Sequence, residues 1–329
     1  MEQSEFIDWG VAAKVGAGIV PPGPVVSPDE AAEVVASIRA AAEAAPAHVS
    51  QVTGLDDPAD ARTLVVDRPA WVAACARSSE AILNAIESPL TPGLIASCLG
   101  RVQGGGVGLV LAAASTRVLG QFDPFSEPPT LLLVAPNMVA AERSLAVDPA
   151  DFRLWVCLHE QTHRFQFGHA PWLRGHLTGL ISALLDGDSG FLAFWGRSDK
   201  AERGKPFIDR MLNPAQRDVF DQITAVMSLI EGYADVMMDR AGVGVIPTLP
   251  AIRRAFETRR DRGGWTAVLG KLIGTDLKLA QYREGAAFCR AVIDEAGVDV
   301  LNVAWSAPDT LPSLVELRDP QRWLARVHG

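Results

Sequence analysis

Cysteine is scarce in this chain. Four occur in 329 residues, at Cys75, Cys98, Cys157 and Cys289, and no two form a C-x-x-C pair. That excludes a cysteine zinc site and a dithiol redox motif, and so few thiols at this length fit a reducing compartment. Long apolar runs are missing too. The most apolar stretch, Val107 to Ala114, lies between Arg101 and Arg117 and is too short to cross a bilayer, which takes about 20 residues. The first residues, Met1-Glu2-Gln3-Ser4-Glu5, are acidic, with no basic-then-apolar signal after them. A cytoplasmic protein with no membrane partner is expected. Positive charge is in deficit: the formal net charge is -9, which argues against nucleic acid as a partner. The one basic cluster, Arg253, Arg254, Arg259, Arg260 and Arg262, reads as a solvated helix face paired with Glu257 and Asp261. Gly104, Gly105, Gly106 and Gly108 precede no Gly-Lys-Ser/Thr, so they read as a small-residue packing surface and not a phosphate loop.

What is present is apolar and helical. The 48% hydrophobic content and mean hydropathy of +0.15 describe a well-buried globular chain, long enough for one large domain or two lobes. Ser27-Pro28-Asp29-Glu30 is a helix start, with a cap, a first-turn proline and a capping box; the alanine-rich helix it opens is expected to end near Ala45. Further helices are expected over about 68–88, 91–118, 247–262, 265–280 and 282–296. Pro21-Pro22-Gly23-Pro24 reads as a stiff connector and residues 186–207 as a loop. The segment from Pro308 to Pro320 reads as irregular chain. Thr130 to Ala135 is the clearest strand. It reads either as a sheet edge able to pair with an extended peptide or as a buried strand.

One pentapeptide carries most of the chemistry. His159-Glu160-Gln161-Thr162-His163 is H-E-x-x-H, in a helix opened by Asp148-Pro149-Ala150-Asp151 and expected to end near Gly168. Histidines four apart stand one turn above each other on one helix face, placed to share a tetrahedral zinc. Glu160 is turned about 100° from His159, too far round to be the natural third ligand but able to reach a water on the metal.

A catalytic site needs a third protein ligand and one position left for water. Two candidates compete. Glu231 and Asp235 stand four apart on an apolar helix expected to run from Asn213-Pro214 to Ala241, where Gly242 stops it. Two carboxylates on such a face are costly unless paired. A metal on Glu231, with Asp235 accepting the free ring N–H of His159, would satisfy both; an exposed helix edge near Arg240 is the plainer alternative. His169 lies ten residues after His159, as in the three-histidine pattern H-E-x-x-H-x-x-G-x-x-H, but Gln166 stands where that pattern has glycine. Glu231 is the stronger candidate, because nothing at Gln166 readily turns the chain back.

The combination of His159-Glu160-Gln161-Thr162-His163 with Glu231-x-x-x-Asp235 resembles the gluzincin pattern of thermolysin-like and minimal gluzincin peptidases. Wider segments are similar to an actinobacterial family of uncharacterised zinc hydrolases, some associated with deazaflavin-cofactor biosynthesis. They are Val65-Val66-Asp67-Arg68, Arg117 to Asp123, Val134 to Asn137, Pro171 to Arg174 and Gln281 to Gly285. The resemblance covers about 9 to 327. It implies a zinc site of His159, His163 and Glu231 with Glu160 as base, and it implies no substrate. Tyr233 and Asp235 depart from the His and Glu of that family, which brings Asp235 closer to the general gluzincin pattern.

The expected fold is mainly α (α+β). A helical N-terminal part over residues 1–120 would pack on a gluzincin-like core over 121–329, or the two would form one continuous domain, with a short strand or small sheet beside the active-site helix. The expected cofactor is one Zn2+ per chain. The expected function is zinc-dependent hydrolysis of an amide bond in a peptide, with Glu160 as general base. Rivals are a zinc hydrolase of a small non-peptide substrate and a non-catalytic zinc-binding interaction protein; Glu160 favours chemistry, since a structural site needs no base. Tyr233, two residues past Glu231, should point away and pack in the core. Tyr282 and His176 are the candidate donors to a developing oxyanion, and each also reads as structural.

Overall fold

The computed structural model describes residues 7–58, 61–86, 94–185, 213–260 and 278–327. They are mainly helical, with one three-stranded sheet. The chain divides into two units, Met1–Gly168 with Met237–Trp265, and His169–Val236 with Thr266–Gly329. No described helix is long and apolar enough to cross a membrane.

The first unit opens with α1 (Trp9–Ile19) and α2 (Pro28–Thr53). The Ser27 hydroxyl accepts from the Glu30 N–H at 3.1 Å, as its capping role requires. α2 does not stop near Ala45 but continues through Pro46. A proline there removes the N–H that would have bonded the Ala42 carbonyl. Burial of Ala42, Ala45, Val49 and Thr53 along one face carries the helix past the break, and the stranded carbonyl finds another donor in Gln161. Strand β1 (Arg62–Val66) leads into α3 (Arg68–Ala85), capped by Asp67, and α4 (Leu94–Ser115) follows. The glycine-rich part of α4 is a packing surface, as expected. A methyl group on Gly108 would sit 2.7 Å from the Ala12 carbonyl oxygen, so only glycine lets α1 approach this closely.

Strands β2 (Gly120–Asp123) and β3 (Thr130–Val134) complete the sheet. Its order is β1-β3-β2, with β1 parallel and β2 antiparallel to β3. The 130–135 run is therefore not an edge open to a peptide. Its Thr130–Val134 part is the central strand, buried at every position, with Ala135 already the first residue of the next helix, and its unbroken Leu-Leu-Leu-Val suits burial on both faces. The flanking strands are too short and too polar at their ends to stand out in the sequence. Helices α5 (Ala135–Leu145), α6 (Pro149–His169) and α9 (Leu249–Arg260) surround a core that includes Ile38, Leu131, Met138, Phe152 and Phe165. A polar node braces it. The Arg68 guanidinium donates to Asn137 Oδ1 at 2.7 Å and to the Pro21 and Pro22 carbonyls, while the Asn137 amide donates to the Ser115 and Val118 carbonyls at 2.6 Å each. The Pro21 to Pro24 connector is thus fixed at its start. In the basic cluster Arg253 pairs with Asp239. The side chains of Glu257, Arg259 and Arg260, with Asp261 and Arg262, lie outside the described residues.

In the second unit are α7 (Trp172–Leu185), α8 (Pro214–Gly242) up to Val236, α10 (Lys278–Ala296) and α11 (Val298–Asn302). Asn213 and Gln216 cap each other at the start of α8, at 2.8 and 3.2 Å. The expected loop at 186–207 and most of the expected 265–280 helix lie outside the described residues. The tail is more regular than expected. Pro308–Thr310 is a 3-10 turn, and α12 (Leu314–Arg318) and α13 (Pro320–Val327) follow. Prolines that read as breakers stand instead at first helical positions, where a missing N–H costs little, and Ser313 with Glu316 forms a reciprocal cap. Trp323 is fully buried and donates to the Thr310 carbonyl at 2.8 Å. Cys75, Cys157 and Cys289 are free and buried, and burial pushes each thiol well above its usual range. The Cys98 side chain lies outside the described residues.

Candidate metal centre

Helix α6 carries the H-E-x-x-H. It starts where the Asp148 carboxylate accepts from the Asp151 N–H at 3.0 Å, and Asp151 in turn accepts from the Thr248 backbone and hydroxyl at 2.8 and 2.5 Å. Phe152, Trp155, Val156, Cys157 and Leu158 are buried, which locks the rotation of the helix and hence the direction of its histidines. His159 is half-buried and His163 is 8% exposed. Their rings are perpendicular with centroids 4.7 Å apart, and the two Nε2 atoms face each other at 3.1 Å.

Two ring nitrogens at that distance need a proton or a cation between them. Tetrahedral zinc with Zn–N bonds of about 2.0–2.1 Å sets its ligand atoms about 3.3–3.4 Å apart, so the spacing fits a shared ion. The chemistry of the third donor agrees. His159, His163 and Glu231 each offer one ligand atom, and the three atoms lie within 4.8 Å of one another. His169 is not in this group. α6 runs unbroken past Gln166, so His169 sits about 240° round the helix and about 9 Å beyond His163. It is exposed at the helix end.

Glu160 is 5% exposed. Strand β2 presses on it: a methyl group on Gly120 would lie 2.6 Å from Glu160 Cγ, 2.9 Å from Cδ and 3.0 Å from Oε1. Glycine at 120 is what gives this carboxylate its room. The small sheet therefore lies beside α6, with β2 as the strand whose Gly120 abuts Glu160 and with Leu131 and Leu133 of β3 in the same core cluster as Leu158 and Phe165. Gln161 faces α2. Its Nε2 donates at 3.0 Å to the Ala42 carbonyl that Pro46 strands, in buried surroundings. Gln166 is fully buried, with Oε1 2.8 Å from His163 Nδ1. Gly120, Gln161 and Gln166 escaped the sequence reading. Gln166 had a local signal, its i+3 spacing from His163; the other two work through distant chain.

Glu231 and Asp235 lie on α8, both half-buried, with buried Gly232, Tyr233, Ala234 and Val236 around them. A side chain on Gly232 would overlap the Gly285 carbonyl, and one on Gly285 would overlap the Ser228 backbone. α8 and α10 therefore cross at near-contact of their backbones beside Glu231. Arg290 on α10 makes an ion pair with Asp235 at 3.6 Å. Tyr233 is core, as expected: it is fully buried, donates to Asn302 Oδ1 at 2.7 Å and meets Trp305 edge-on. His176 is half-buried and packs edge-on to Trp172 at 5.9 Å, and burial lowers its pKa. The Tyr282 side chain lies outside the described residues.

Paired imidazoles, a carboxylate donor and an adjacent buried glutamate are the equipment of a zinc-dependent hydrolase. The model of the zincin-like metallopeptidase family matches residues 7–324, and the chain belongs to that family. It is also similar to a protein of Chloroflexus aurantiacus, whose crystal structure is provisionally described as a hydrolase with a novel fold. The two share 29% identity with a TM-score of 0.74, over 98% of this chain and 99% of that one. No curated protein matches the chain.

Proposed function

We propose that the protein is a gluzincin-like zinc peptidase, with His159, His163 and Glu231 as ligands and Glu160 as general base. The gathering of those three ligand atoms within 4.8 Å carries the proposal. Zinc, when bound, lowers the pKa of a coordinated water toward about 7 and polarises a carbonyl. The chain's residues do the rest. The Glu160 carboxylate takes the proton of the attacking water and delivers it to the leaving amine. Leu158 and Phe165, both fully buried on α6, hold the helix that carries it. Asp235 accepts the remaining ring N–H of His159 and fixes that ring. His176 and Tyr282 are the two candidate donors to the oxyanion.

An extended peptide is favoured over a small amide by β2. Among the described residues this strand pairs on one side only, with β3. Its Gly120 lies against Glu160, so a peptide added to the unpaired side of β2 would run past the base. Metal analysis of the purified protein should find about one zinc per chain, lost in His163→Ala and in Glu231→Ala. Glu160→Gln should keep zinc and lose cleavage of a peptide library. Zinc retained in Glu231→Ala refutes the ligand set; wild-type cleavage of small amides but of no peptide refutes the peptidase reading.

A further inference from the structure

We infer that Gln166 is a positioning residue for the metal. It holds the His163 ring in the tautomer that leaves Nε2 free to bind, an inference that rests on His163 being a ligand. The observation is the 2.8 Å approach of Gln166 Oε1 to His163 Nδ1 between two buried side chains. An amide oxygen only accepts hydrogen bonds. Nδ1 therefore carries the ring proton, and Nε2 presents its lone pair toward His159 Nε2, 3.1 Å away. Turned the other way, the amide would donate to Nδ1 and put the proton on Nε2, where it would block the metal. The grouping of Glu231 with both histidines favours the first arrangement, because a carboxylate and two imidazoles converge on a cation more readily than on a single N–H.

The placement has a simple origin. Residues three apart on a helix are neighbours, so α6 supplies the metal-binding imidazole and the acceptor that orients it from one rigid element. His163 and Gln166 are carried by the same rigid turn of α6. The same residue explains why α6 continues straight on. A buried glutamine bonded within the helix stands where the three-histidine pattern has glycine, and His169 is carried away from the metal.

The test uses the full chain, labelled with 15N-histidine. In the metal-free wild type at pH 8, where an ordinary imidazole is neutral, the His163 ring should show the Nδ1–H tautomer. Finding the Nε2–H tautomer overturns the inference without any variant. Zinc affinity is then measured by competition with a chelator. Gln166→Met, close in shape but with only a weak thioether acceptor, should bind zinc about 10–100-fold more weakly, the usual cost of losing such a partner. Gln166→Glu keeps an acceptor at the same reach and should bind within about threefold of wild type. Wild-type affinity in Gln166→Met overturns the inference. Wild-type affinity in His163→Ala instead overturns the underlying ligand assignment, so the two failures are told apart.

Discussion

Gly120→Ala tests how Glu160, the proposed general base, is held. The new methyl carbon would stand 2.6 Å from Glu160 Cγ and 2.9 Å from Cδ, where carbon atoms prefer about 3.5–4.0 Å. About 1 Å of movement is needed. β2 is held in register by β3, with Gly120 opposite Leu133 and Gln121 opposite Leu132, so the side chain of Glu160 yields before the strand does. A catalytic group displaced by about 1 Å loses about 100-fold in rate. Overpacking one methyl group costs about 1–3 kcal/mol of stability, which a domain of this size survives. The expected result is a folded protein with a full complement of zinc. Its kcat on the best-cleaved library peptide should be about 100-fold lower, and its urea midpoint modestly reduced. Glu160→Gln sets the floor for loss of the proposed base. Gly120→Ala with wild-type zinc and a kcat within twofold of wild type would show that β2 does not set the position of Glu160.

Two further outcomes rest on other parts of the chain. Gln161→Leu leaves the buried Ala42 carbonyl without its donor and should cost about 1–3 kcal/mol in urea unfolding. Pro46→Ala restores a backbone N–H to that carbonyl, so in the double variant Gln161→Leu costs clearly less than in wild type, and strict additivity would refute the link. At Glu316, burial raises the pKa, but Arg326 and Ser313 lower it more, so the carboxyl titrates below its ordinary value. Such a group adds stability above its unfolded pKa of about 4.3 and loses it as pH falls through the lower folded pKa. The stability difference between wild type and Glu316→Gln should be full at pH 7 and close toward pH 3; a constant difference refutes the assignment.

Local chemistry was readable from residues close in sequence. Ser27 and Glu30, Asp148 and Asp151, and Asn213 and Gln216 mark helix starts because each cap bonds a residue three positions on. The four-residue spacing of His159 and His163 placed both rings on one side of α6 for the same reason. Breakers misled where tertiary burial outweighed them. Pro46 did not end α2, because Val49 and Thr53 lie buried beyond it and Gln161 serves the carbonyl it strands. Pro308 and Pro320 did not make the tail irregular, because both fall at first helical positions.

The sequence by itself determined the helical character of the chain, the H-E-x-x-H pair and the short list of third ligands, since all of these depend on helix periodicity and side-chain chemistry. Only the tertiary structure groups a ligand atom of Glu231 with those of the two histidines within 4.8 Å, and shows that the Thr130–Val134 strand lies inside the sheet while β2 borders Glu160. Those outcomes turn on which segments meet across long stretches of chain. Such meetings are set by burying apolar faces and satisfying polar groups in the fold as a whole, and the periodicity of one segment shows which face it buries but not which distant segment covers it.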